Sequence, residues 1–268
     1  MWARVSATFL YPVKACAPLG VTSLVFEAAG DIQGDREWVV VDADDRITWQ
    51  GAIPALAQIF PTGKPDRLAI SSAAGDSVVL PPSDQGAPRT VHSWNGRRQA
   101  FDAFAGHDAG DAVAALASSI AGQKVRLVHL STTTHRPNPI HIITDSSLRV
   151  LAAQLGGDTD LRRFRPNIVL TGDDAVLPPF AEEQATALVC PMANSRLVLT
   201  VTAPCERCVV VNVDPTSSAV DARYLKTVVA HSQSRGASAP AVFGVYARAT
   251  TGGRLATGDG VELITARG

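Results

Sequence analysis

Gly34-Asp35-Arg36-Glu37-Trp38-Val39-Val40-Val41 runs into Asp42-Ala43-Asp44-Asp45 and comes back as Arg46-Ile47-Thr48-Trp49. A β-branched run, an acidic turn and a second apolar run predict a hairpin, with Val39–Val41 outgoing and Ile47–Trp49 returning. The same pattern continues in both directions. Upstream, Arg4–Leu10 and Val21–Ala28 are short apolar or alternating runs, separated from Glu37–Val41 by Ala29-Gly30-Asp31 and Gln33-Gly34-Asp35. Downstream, Arg67–Ile70 and Ser77–Leu80 stop at Pro81-Pro82. Val91–Trp94 then faces Arg97–Phe101 across Asn95-Gly96, a pair suited to a tight hairpin turn.

Helical spacing is rarer. Gly110–Ile120 repeats Ala, Val and Leu at helical intervals, with Asp108 or Asp111 to cap it and Gly122 to stop it. Val125–Leu130 is a predicted strand, and Ser131–Asn138, polar and holding Pro137, a predicted loop. A second unit opens with the strand Ile140–Thr144 and a helix over Ser146–Gln154 that ends at Gly156-Gly157. Strands follow at Ile168–Thr171, Leu197–Ala203 and Cys208–Val213. A short helix at Tyr224–His231 precedes closing strands at Phe243–Thr250, Gly253–Ala256 and Val261–Ile264. The fold class is mostly β with a few helices (α+β), in two units, 1–124 and 125–268.

Bulk properties narrow the function. The chain has 268 residues, 46% hydrophobic and 18% charged, as globular proteins do. A net charge of -1 gives no overall field to attract nucleic acid or an anionic membrane, though a local pocket for one small anion is allowed. Cys16, Cys190, Cys205 and Cys208 are too few for a disulfide framework and fit a reducing, cytoplasmic compartment. Pro12 and Lys14 interrupt the apolar N-terminus, and no run reaches the roughly 18 apolar residues of a spanning helix.

The phosphate loop, the dinucleotide fingerprint, the nucleophile elbow and the helical zinc-protease motif are all absent. Cys205-Glu206-Arg207-Cys208 is a single CxxC. Zinc sites need a second pair or well-spaced histidines, and redox CxxC motifs open a helix. This one leads into Val209-Val210-Val211, a predicted strand, so neither use fits. His129, His135 and His141 recur every sixth residue, a spacing that suits no ligand set, and read as solvated loop histidines. Arg162-Arg163-Phe164-Arg165 leaves two readings open, a solvated corner or an anion site.

Several motifs occur together and in order. They are Tyr11-Pro12-Val13-Lys14, Gly34-Asp35-Arg36-Glu37-Trp38, Thr144-Asp145-Ser146-Ser147-Leu148 and Arg163-Phe164-Arg165-Pro166-Asn167. Pro179-Phe180-Ala181-Glu182-Glu183, Pro204-Cys205-Glu206-Arg207-Cys208, Val213-Asp214-Pro215-Thr216 and Phe243-Gly244-Val245-Tyr246 follow. Over nearly its whole length the chain resembles the MOSC family with its N-terminal β-barrel partner domain, in particular the group around the mitochondrial amidoxime-reducing component and its bacterial relatives.

The resemblance implies an N-terminal β-barrel-like domain (1–124) and a C-terminal MOSC β-barrel domain (125–268). It also implies a molybdenum cofactor, molybdenum held by molybdopterin, and no pyridoxal phosphate. By motif position Cys208 is the metal ligand and catalytic thiolate, a soft donor suited to such a metal, with a buried structural thiol as the alternative. Lys14, Arg36, Arg165, Asn167 and Arg207 match cofactor-binding positions. Thr144, Ser146 and Ser147 match too, as anion donors or simply as a helix cap. Glu182 and Glu183 read as structural, and Asp214 as lying near the metal. The implied activity is reduction of N-hydroxylated or N-oxygenated compounds, with a small-molecule substrate and a separate electron donor of ferredoxin, flavodoxin or cytochrome type. A sulfur carrier using a Cys208 persulfide is the alternative. Two positions depart from the family pattern: Ala15 where Ser is usual, and Gly51 where Arg is usual.

Overall fold

The computed structural model describes residues 1–27, 30–64, 67–131, 140–157, 159–191, 196–237 and 239–266. The first part runs β1 (Trp2–Leu10), β2 (Leu19–Val21), β3 (Ser23–Phe26), β4 (Trp38–Val41), β5 (Phe60–Lys64), β6 (Arg67–Ser71) and β7 (Ser77–Val79). It continues through the long hairpin β8 (Pro88–Asn95) and β9 (Ala100–Asp108) to helix α1 (Asp111–Ala121) and β10 (Arg126–Leu130). The second part runs β11 (Ile140–Thr144), α2 (Asp145–Leu155), β12 (Ile168–Thr171), β13 (Ala185–Pro191), β14 (Arg196–Glu206), α3 (Arg223–Ser234), β15 (Val242–Ala249), β16 (Gly253–Ala256) and β17 (Gly260–Thr265).

The large sheet has the order β12-β11-β15-β14-β13-β17-β1, and β1 pairs back to β12. Seven strands therefore close into a barrel and leave no open edge among themselves. β1 makes the closure by dividing its length. Trp2–Arg4 pair with β17, Arg4–Thr8 with β12 across a bulge after Val5, and Thr8–Leu10 with β2. β11 and β12 are parallel, and α2 supplies the crossover that such a pair requires. Alternating inward residues, among them Val5, Ile142, Leu170, Leu188, Leu199 and Leu263, fill the barrel.

The other sheets, β4-β10-β9-β8 and β5-β6-β7, share a core with α1 built on Trp38, Val40, Leu56, Ile70, Val113 and Leu127. Gly122 ends α1 in the left-handed conformation, and its N–H closes on the Ser118 carbonyl. The N-cap is Gly110. Asp108 accepts from the Gly110 N–H at 2.7 Å, and Asp111 is the first helical residue. No described helix is long and apolar enough to cross a membrane.

The strand expected at Cys208–Val213 is instead a 3-10 turn over Val209–Asn212. The β-branched run loses its strand partner once Arg207 N–H has bonded Ala241. Arg163 then donates to the carbonyls of Asn212 (3.2 Å) and Val211 (3.5 Å), which holds the turn. The returning arm of the opening hairpin shrinks to single bridges, Val41 to Ile47 and Arg46 to His92, because β8 competes for it. Arg97–Gln99 belong to the β8–β9 turn, not to a strand. β5 and β13 were not expected. His129 lies in β10, edge-on to Trp38 at 5.1 Å, and is not a loop residue. His135 and most of the predicted 131–138 loop lie outside the described residues.

Candidate functional site

The cations and the thiol of the cleft come from four chain segments. After β1, Tyr11–Lys14 runs beside Asp35–Trp38. Tyr11 N–H donates to Asp35 Oδ1 (2.7 Å), Arg36 N–H to the Tyr11 carbonyl (2.8 Å), Trp38 N–H to Pro12 (3.0 Å) and Lys14 N–H to Trp38 (2.8 Å). This ladder fixes Lys14 and Arg36 on adjoining segments. The seven-stranded barrel unit supplies Arg165, which caps the 3-10 turn Leu161–Phe164, and Arg207 and Cys208, which follow β14. Lys14, Arg36, Arg165, Arg207, Cys208 and Tyr246 line one cleft of about 300 Å³, with Trp49, Gln50, His141 and Phe164 completing its wall.

Backbone strain concentrates here. Ala15 (φ 69), Arg36 (φ 57) and Arg165 (φ 54) all sit in the left-handed region. Each costs a non-glycine residue about 1–3 kcal/mol, which the surrounding hydrogen bonds must offset.

The charge balance is uneven. Arg36 pairs with Asp35. Among the described residues, no carboxylate pairs with Arg165 or Arg207. Arg165 donates from Nη1 to the Cys16 carbonyl (2.6 Å) and stacks over Tyr11 at 4.2 Å. Burial, and then the charge of Arg36, push Arg165 down to about 10, so it keeps its proton at neutral pH. Arg207 donates from Nη1 to Cys205 Sγ (2.7 Å) and from Nη2 to the Phe164 carbonyl (2.8 Å). Its Nε is buried with no partner. Burial opposes its charge, but Cys205 and Tyr246 outweigh that and raise its pKa. Half-buried cations without a carboxylate, and a buried donor without a partner, are costly unless an anion completes them. Cys208 is the exposed cysteine of the chain; Cys16, Cys190 and Cys205 are buried.

Asn167 stands behind the cleft, fully buried. Its Oδ1 accepts from the His141 N–H (3.1 Å) and Arg36 Nη1 (3.4 Å), and its Nδ2 donates to Phe9 (3.2 Å) and Asp35 (3.3 Å). It therefore aligns Arg36 across the two halves of the chain. Thr144, Ser146 and Ser147 do not line the cleft. Thr144 caps α2, and the Thr144 and Ser147 hydroxyls donate to Glu182 Oε2, each at 3.0 Å. Glu183 pairs with Arg235, and Asp214 with Arg163.

His141 corrects the solvated-loop expectation. It lies in β11 at 2% exposure and lines the cleft. Its Nε2 is 3.2 Å from the Phe243 carbonyl and its Nδ1 3.4 Å from that of Arg165. Burial, and then Arg207, push its pKa down to about 3, so it is neutral. Sequence reasoning also passed over Tyr11, Trp49, Gln50 and Tyr246. Tyr11 and Tyr246 lie inside quoted motifs, which was the one signal available for them.

The structure is thus a closed barrel joined to a smaller β unit, with a cation-rich cleft that holds an exposed thiol. The chain belongs to the MOSC family: the MOSC domain model matches residues 128–262 and the MOSC N-terminal beta barrel domain model residues 2–124. It is 26% identical over 290 residues to human mitochondrial amidoxime-reducing component 1, covering 97% of this chain and 82% of that protein. It is 28% identical over 290 residues to rat mitochondrial amidoxime reducing component 2, covering 96% and 82%. A molybdenum cofactor sulfurase of Drosophila mojavensis is 28% identical over 255 residues, covering 88% of this chain and 31% of that longer protein.

Proposed function

We propose that this chain is a molybdenum-cofactor-binding oxidoreductase that reduces N-hydroxylated or N-oxygenated small molecules with electrons from a separate donor protein. One observation carries the reading: half-buried Arg165 and Arg207, without carboxylate partners among the described residues, share a cleft with the exposed Cys208 thiol. The orphaned Arg207 Nε asks for an anionic group, and the phosphorylated cofactor offers one. The amidoxime-reducing relatives support the activity. The donor set fits: Lys14, Arg36, Arg165 and Arg207 would bind the anionic group, and Cys208 would give the metal a soft sulfur ligand. When bound, the cofactor supplies two-electron redox chemistry. The overall reaction takes an N-hydroxy compound, two electrons and two protons to the N–H compound and water. His141 stays neutral in the wall, and burial raises the Tyr246 phenol so that it keeps its proton. The donor would be a ferredoxin-, flavodoxin- or cytochrome-type protein.

The test is metal analysis of freshly purified protein, followed by reduction of an amidoxime with a chemical electron source. Molybdenum near one per chain and turnover are expected, both lost in Cys208→Ala. Molybdenum-loaded protein without turnover rejects the activity. The exposed Cys208 thiol three residues from Cys205 favours a second reading, a persulfide carrier. Intact mass spectrometry would then show one added sulfur, abolished by Cys208→Ser, and no molybdenum.

A further inference from the structure

We infer that Trp49 is a stacking platform for a planar aryl group on the substrate and gives this site a preference for aromatic over alkyl compounds. The inference rests on the functional reading above for the identity of the cleft and extends it to a substrate class.

Trp49 is 43% exposed and lines the cleft that holds Cys208. Its neighbours Thr48 and Gln50 are buried. The N–H groups of Ala52 and Ile53 both close on the Trp49 carbonyl at 3.0 Å, so the backbone beneath the ring is fixed. Trp38 and Trp94 each pack against another ring, His129 and Phe101. Among the described residues no ring or guanidinium stacks on Trp49. A half-exposed indole is therefore held on a fixed backbone at a cleft wall, with no described ring or guanidinium stacked on it. Clefts of this kind use aromatic walls for apolar contact and their polar groups for orientation.

Gly51 provides the seat for this ring. A Cβ at Gly51 would lie 2.4 Å from Cζ3 and Cη2 of Trp49 and 2.9 Å from Cε3. Gly51 is exposed and its φ is not positive, so the missing side chain answers to the indole and not to the backbone. Trp49 and Gly51 form a matched pair, and Gly51→Ala would push the ring off its seat without removing it.

The site divides by chemistry. Arg165 and Arg207 bring positive charge to the cleft, where they suit an anion. Trp49 is the exposed aromatic of the same lining, open to a second, planar part of a ligand. An aryl substituent beside the reacting nitrogen is the group it fits.

The experiment is calorimetric binding to the molybdenum-loaded protein of two probe pairs, benzamidoxime with acetamidoxime and benzamide with acetamide. The second pair lacks the N–O group and tests the ring independently of the proposed reaction. Wild type should bind each aryl member about tenfold tighter than its alkyl partner, a difference of about 1.4 kcal/mol. Trp49→Ala should abolish that preference with molybdenum content unchanged, Trp49→Phe should keep most of it, and Gly51→Ala should weaken it. A preference that survives Trp49→Ala, equal binding of aryl and alkyl members, or no binding of any probe would overturn the inference. Loss of molybdenum and pterin from Trp49→Ala would also overturn it, by assigning the ring to the cofactor. Aryl preference in both pairs, with no amidoxime turnover, would uphold the platform and reject the reductase reading.

Discussion

Arg207 Nη1 donates to Cys205 Sγ at 2.7 Å, so the buried member of the cysteine pair aims the cation that faces the exposed one. The Tyr246 phenol lies near the same sulfur, which helps burial to raise it. Cys205 is thus a positioning residue that fixes Arg207 on the wall it shares with Tyr246. Groups that orient a site in this way typically cost about 10–100-fold in metal affinity when removed. Cys205→Ala should lower bound molybdenum and pterin about tenfold at limiting cofactor and cost about 1 kcal/mol of stability. Cys205→Ser keeps an acceptor and should hold cofactor nearly as wild type. Equal cofactor retention by Ala and Ser would show that the sulfur positions nothing.

Arg163 is the brace for the turn after Cys208. It is 6% exposed, pairs with Asp214, reaches the Asn212 and Val211 carbonyls and stacks on Tyr224 at 3.8 Å. Arg163→Met should cost about 3 kcal/mol, because it strands two carbonyls of a buried turn and removes the cation that Asp214 pairs with. Asp214→Asn should cost about 1 kcal/mol, since Asp214 is part-exposed and still receives N–H bonds from Thr216 and Ser217. Thermal unfolding measures both. Cys208 alkylation should quicken in Arg163→Met as the turn loosens. Equal costs for the two variants would mean that the ion pair, not the carbonyl contacts, carries the brace.

Local pattern made much of this legible. The valine run of β4, the helical spacing of α1 and the capped start of α2 answer to short-range rules, and the structure has elements there. The cleft was legible only through motif order. Nothing local says that Lys14, Arg36, Arg165 and Cys208 converge. Pairing of β1 with β12 spans some 160 residues and is written in no window of sequence. His141 misled for the same reason: a histidine among Ile140, Ile142 and Ile143 is buried in β11, where barrel closure overrides its polarity. Val209–Val211 misled in the opposite sense, since their strand propensity yields to Arg163 capturing the carbonyls.

His141 and Glu182 titrate against each other. Burial drives His141 from 6.5 down to about 3, so its contribution is complete above 6.5 and is lost as the pH falls toward 3. Burial drives Glu182 from 4.5 up to about 7, partly offset by the Ser147 and Thr144 hydroxyls. Its contribution is complete below 4.5 and is lost as the pH rises through 7. Between pH 4.5 and 6.5 the unfolded chain takes up a proton at His141 that the native state refuses, and releases one at Glu182 that the native state keeps. The two slopes oppose each other, each at most about 1.4 kcal/mol per pH unit. Urea unfolding of wild type across that window should show little net slope from this pair. Glu182→Gln keeps a neutral side chain beside Thr144 and leaves His141 alone, so stability should rise steeply with pH. His141→Asn leaves Glu182 alone, so stability should fall with pH over the same window. Parallel curves for all three proteins would mean that neither group is held in the charge state its burial dictates.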